Sequence, residues 1–84
     1  MDKAPRTLND LLPLQLNKRI ERSYKVEKKP VKVILSRNEQ GPYSIQVIVT
    51  GKQKYTPLFS NGVENEKELN ALWQVCLRNI KSRP

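Results

Sequence analysis

ENEKELNALWQVCLRNIK, spanning Glu64 to Lys81, sets Leu69, Leu72, Trp73, Cys76, Leu77 and Ile80 at the three- and four-residue steps of a helix. At 100° per residue these six side chains fall within an arc of about 140°, a single core-facing stripe. Asn65 followed three residues later by Glu68 reads as an N-cap with its reciprocal glutamate. Glu64, Glu66 and Glu68 crowd the first turn, and Arg78, Lys81 and Arg83 crowd the end, so charge matches the helix dipole at both poles. The spacing predicts a helix over about 65–81. A helix with one apolar stripe needs one apolar floor, and the residues before it supply one.

Working back from the helix, Val31, Val33 and Leu35 alternate after Pro30, and Tyr43, Ile45, Val47 and Val49 alternate after the polar turn RNEQGP of residues 37–42. These predict strands over about 31–36 and 43–50. A third strand is expected over about 53–59 after Gly51 and Lys52. Pro57 lacks the amide that a central strand donates, so this strand belongs at an edge or carries a bulge. Val31, Val33, Leu35, Ile45, Val47 and Val49 form the floor for the helix. The opposite face carries Lys32, Ser36, Ser44, Gln46 and Thr50 with Ile34 and Ile48 among them, and is either wet or half covered by the N-terminal helix.

Toward the N-terminus, Thr7 is a candidate cap for a short helix bearing Leu8, Leu11 and Leu12 on one side, stopped or kinked by Pro13. Met1–Arg6 is polar and expected to be a flexible lead. Leu14–Glu27 fits two periods. Leu16, Ile20 and Tyr24 are four apart, as in a helix, while Ile20, Tyr24 and Val26 also fit alternation, as in a strand. The helix through about Arg22 is favoured. The expectation is therefore a small α+β domain over residues 7–84, with a three-stranded (or four-stranded) antiparallel sheet, a C-terminal helix on one face and the order α-β-β-β-α. The alternative is β-β-β-β-α.

Eighty-four residues make one domain. With no histidine and a single cysteine placed in the apolar arc of the helix, the chain offers no histidine-based triad, no thiolate nucleophile and no zinc ligand set. Its three glycines lie singly in turns, so there is no phosphate-cradling loop. The acids at the helix start suit dipole matching better than a two-carboxylate or magnesium site. No enzyme, cofactor or metal is expected. The chain lacks an apolar run long enough to span a bilayer and a signal-peptide core, which points to a cytoplasmic or otherwise intracellular protein.

Charge is the informative quantity. Sixteen basic and eight acidic residues give +8. Residues 15–37 hold Lys18, Arg19, Arg22, Lys25, Lys28, Lys29, Lys32 and Arg37 against Glu21 and Glu27, a net +6. Cations at this density match backbone phosphates, with Lys52 and Lys54 extending the path. Tyr24, Tyr43 and Tyr55 offer rings for base stacking. The expected function is nucleic-acid binding, RNA ahead of DNA. The rival is a protein-interaction subunit whose basic surface docks on an acidic partner, and an edge-strand homodimer is a third reading.

The α-β-β-β-α order, with YSIQVIVTGKQKYTPLF before the last helix, resembles double-stranded-RNA-binding domains and small RNA-particle proteins in topology. Such domains place a lysine cluster at the start of the last helix. Here that position reads Glu64, Glu66, Lys67, Glu68, which repels phosphate, so the resemblance assigns no site residue.

Overall fold

The structure is a computed structural model and describes residues 2–82. Five strands form one sheet in sequence order: β1 (Asp2–Lys3), β2 (Lys18–Val26), β3 (Lys29–Arg37), β4 (Tyr43–Val49) and β5 (Tyr55–Val63). Helix α1 (Glu66–Ser82) packs across one face. A single 3₁₀ turn, Asn9–Leu11, lies between β1 and β2. The α+β domain with a C-terminal helix is as expected; the strand count and pairing are not. The sheet has five strands, and it is mixed, because β1 runs parallel to β2 while every other pair is antiparallel.

The main correction concerns residues 14–27. Lys18–Val26 is a nine-residue strand, not a helix, so the β-β-β-β-α alternative describes the body of the chain. The cause is local. Glu27 and Lys28 take φ of 48° and 73°, the left-handed pair that a two-residue type I′ hairpin turn requires. The turn locks Val26 opposite Lys29, and the ladder then runs unbroken to Lys18 opposite Arg37. With a strand in place of the first helix, the topological resemblance to double-stranded-RNA-binding domains is lost.

The N-terminal helix shrinks to the 3₁₀ turn. Leu12 is extended, as the residue before a proline prefers, so the helical path stops there. This segment straps over the helix side of the sheet. Trp73 Nε1 donates to the Pro5 carbonyl at 2.9 Å, and the Leu8 amide donates to Asn70 Oδ1 at 2.8 Å. Leu8, Leu11 and Leu14 are thereby buried in the main core. The lead expected to be flexible contributes Asp2 and Lys3 as β1, and the Ala4 amide donates to the Lys25 carbonyl at 3.0 Å.

The core is the expected floor and stripe. Val31, Val33, Leu35, Ile45, Val47 and Val49 face Leu69, Trp73, Cys76 and Ile80, and all ten are buried. Asn65 caps the helix, its Oδ1 accepting from the Glu68 amide at 2.8 Å. Pro57 sits in edge strand β5, where Thr56 and Pro57 together oppose Ile48 between the pairs Val47–Leu58 and Val49–Tyr55. The missing amide therefore falls in a bulge, as its chemistry demands. A second irregularity brings Gly62, φ +72°, into a conformation that suits glycine. Among the described residues no helix is long and apolar enough to cross a membrane.

Candidate nucleic-acid interface

Once residues 18–37 form a hairpin, the pleat divides the basic run, because successive side chains leave opposite faces of a strand. Val31, Val33 and Leu35 mark the helix side of β3, so Lys32 lies on the other, open side. The register β2 to β3 puts Arg19 and Lys25 on that open side too, opposite Ser36 and Pro30. Lys18, Arg22, Lys29 and Arg37 have helix-side parity, and Lys28 stands at the turn. The net +6 that is contiguous in sequence is not one patch in space.

Two of the predicted cations are committed to the fold. Lys29 Nζ donates to the Ile80 carbonyl at 2.7 Å, satisfying one of the acceptors that a helix C-terminus leaves open. Arg37 Nε donates to the Gly41 carbonyl and its Nη1 to the Leu14 carbonyl, each at 2.8 Å. Its guanidinium carbon also lies 5.0 Å from the centre of the Tyr43 ring. Arg37 thus ties the β3–β4 turn to the N-terminal strap. On the open face Glu21 accepts from Arg19 at 2.8 Å and from Lys32 at 3.4 Å. Both pairs are solvent-exposed, so water screening makes each weak and leaves the cations able to change partners.

The fold also brings together what the sequence separates. The β2–β3 turn and the β4–β5 connection meet at one end of the sheet, where Lys28, Lys29 and Lys52 line a hollow of about 720 Å³ over Pro30 and Tyr55. Lys54 lies exposed in the same connection. A neighbouring hollow gathers Lys3, Arg6, Lys25 and Lys81 around Glu27. This is the C-terminal end of α1, as the Lys29–Ile80 bond shows. The opposite end holds the helix start with Glu64, Glu66 and Glu68; Glu66 meets the Tyr43 hydroxyl there at 3.5 Å, and Glu39 lies in the turn that follows Arg37. The basic end carries the excess cations, while at the other end Glu39, Glu64, Glu66 and Glu68 stand near Lys18, Arg19, Arg37 and Lys67 and roughly balance them.

The tyrosines do not serve as exposed rings. Tyr43 is buried. Tyr24 is tilted against Trp73 with ring centres 6.4 Å apart, and burial raises its hydroxyl pKa above the ordinary value. Tyr55 is half-buried and packs on the core. The exposed ring is Phe59, 62% accessible in β5 opposite Gln46. Leu58 beside it packs on the core, but the bulge at Pro57 interrupts the alternation that would mark Phe59 in the sequence.

Cys76 is buried, and desolvation pushes its thiol up to about 11, so it stays protonated and unreactive at neutral pH. Among the described residues no group of three or more acids and cysteines is placed to hold a metal ion. No protein-family model matches this chain, and no curated protein or solved structure matches it either.

Proposed function

We propose that this chain is a non-enzymatic nucleic-acid-binding module that holds backbone phosphates at its basic end, in the cytoplasm or another intracellular compartment. The observation that carries the reading is the convergence of Lys28, Lys29 and Lys52 from two separate hairpins on one hollow. Lys28 and Lys52 are exposed and supply mobile ammonium groups to phosphate oxygens; Lys54 and Lys25 extend the track on either side. Lys29, bonded to the helix terminus, acts through its field. The helix presents its negative pole here, and Lys29 and Lys81 offset it. The far end is close to balanced in charge, so the field that draws an anionic polymer is strongest at the basic end.

Such binding releases counterions, so affinity falls steeply with salt. The test is titration of the purified protein with single-stranded and double-stranded RNA and DNA at two salt concentrations. Binding that weakens as salt rises supports the reading. Absent or salt-insensitive binding to all four nucleic acids contradicts it and favours docking on an acidic protein.

A further inference from the structure

The sheet has a second face that the phosphate track does not account for. Across it the register aligns Glu21, Ile34, Gln46 and Phe59 in one row, one residue from each of β2 to β5. Arg19 flanks this row on one side and Lys32, beside Ile48, on the other. Ile34 and Ile48 are half-buried and lie outside the core packed under the helix, and Phe59 is the most exposed large apolar residue among those described. Arg19, Ile34, Gln46, Phe59 and Asn61 together line a shallow hollow of about 290 Å³. An exposed ring backed by aliphatic side chains, with amides and hydroxyls beside it and cations two and three strands away, has the parts of a base-stacking platform.

We infer that this face takes the unstacked bases of a single-stranded nucleic acid, with Phe59 as the stacking ring. The inference rests on the phosphate-binding reading above and specifies its ligand. Lys28 at the turn, Lys25 in β2 and Lys32 in β3 lead from the basic end onto this face. Lys32 stands two strand spacings and one row of two residues from Phe59, a Cα separation of roughly 12 Å. A phosphate on Lys32 therefore leaves its base within reach of Phe59. A duplex hides its base faces inside the stack and cannot use the ring. A second copy of the chain is the poorer occupant. The face bears Arg19, Lys25 and Lys32 against Glu21 alone, so like faces repel while a polyanion is attracted.

The experiment compares the parent, Phe59→Ala and Phe59→Trp for binding to short oligo(dT) and oligo(rU) and to a duplex of equal length. Phe59→Ala should bind the single strands roughly 5- to 150-fold more weakly, the loss for one stacked base. The slope of log affinity against log salt should not change, because the ring releases no counterions. Duplex affinity should not move. Phe59→Trp should keep the affinity, and its new exposed indole should be quenched by oligo(dT), against a background of buried Trp73. Circular dichroism of each variant confirms that the fold is retained. A Phe59→Ala variant that binds single strands as tightly as the parent overturns this inference and leaves the phosphate reading standing. So does a parent dimer that Phe59→Ala dissociates without loss of single-strand affinity, which assigns the face to a second copy. A parent that binds no nucleic acid overturns both readings.

Discussion

The two faces of this sheet are built from the same strands and differ in burial and in chemistry. On the helix side, Val31, Val33, Leu35, Ile45, Val47 and Val49 are each no more than 3% exposed. On the other side, the residues between them are Lys32, Ile34, Ser36, Ser44, Gln46 and Ile48, all half-buried. The first face is chemically uniform because its only task is to exclude water beneath α1. The second mixes charge, amide, hydroxyl and aliphatic groups. In our reading the pleat segregates stability from recognition, with stability under the helix and recognition on the open face and the adjoining basic end.

The sharpest way to break that separation is to truncate the centre of the helix side. Trp73→Ala should cost roughly 3–5 kcal/mol, the range for deleting a buried large aromatic. It also removes the donor that holds the Pro5 carbonyl and the ring against which Tyr24 rests. A domain of this length has only about 4–13 kcal/mol in total, so thermal denaturation should show most of its stability gone. On the open face Phe59→Ala should shift stability by no more than about 0.5 kcal/mol. Equal losses at the two positions would erase the distinction between the faces.

A smaller effect reports the dryness of the helix side through pH. The Cys76 thiol, held at about 11 by burial from an ordinary 9.0, keeps its proton after the unfolded chain has lost it. Between those two values the native state binds more protons than the unfolded state, so the site's contribution to stability falls as pH rises from about 9 to about 11. Below pH 9 it is constant. Cys76→Ala should flatten that part of the stability profile relative to the parent. Profiles of equal slope over this window would place the thiol in water.

The smallest expected effect lies in the turn that joins the two readings. Glu27 and Lys28 hold left-handed backbone that costs an ordinary L-residue roughly 1–2 kcal/mol, whereas asparagine enters it readily. Glu27→Asn should raise stability by up to about 1 kcal/mol, a rise of about 4–8 °C per kcal/mol in melting temperature for a domain of this size. It also removes the acid between Lys3, Lys25 and Lys81, so nucleic-acid affinity should hold or improve. A drop in melting temperature would contradict the turn geometry.

That turn also explains how much of the fold was legible. α1, β3 and β4 announce themselves through periodicity, caps and alternation, and Pro57 correctly marks β5 as an edge. β2 does not, because Ile20, Tyr24 and Val26 satisfy both periods and the hairpin turn is Glu-Lys, without the glycine or asparagine that normally signals it. β1 has two residues and no pattern; the strap that follows it is pinned at Pro5 by the indole of Trp73, a partner 68 residues away in sequence. Of the site, the charge excess was legible and its geometry was not. Only the hairpin pairing sorts Arg19 and Lys25 from Lys18 and Arg22, and only the meeting of two turns sets Lys52, already expected to extend the path, beside Lys28. The tyrosines look like the stacking rings in the sequence, but the core consumes them, while Phe59 stands beside the Pro57 bulge that obscures the alternation of β5.

The central claim is that the basic end meets phosphates, and the slope of log affinity against log salt measures this most directly. Lys28 and Lys52 are the residues to reverse, since Lys29 caps the helix and its removal would confuse binding with folding. In the protein carrying Lys28→Glu and Lys52→Glu, affinity should fall for every nucleic acid that the parent binds, and the slope should shrink by roughly 0.7–0.9 for each phosphate left without its lysine. Stability should stay within about 0.5 kcal/mol of the parent, as for other exposed substitutions. An unchanged slope in a folded double variant would contradict the account and leave the basic end as a solvated surface or a dock for an acidic protein.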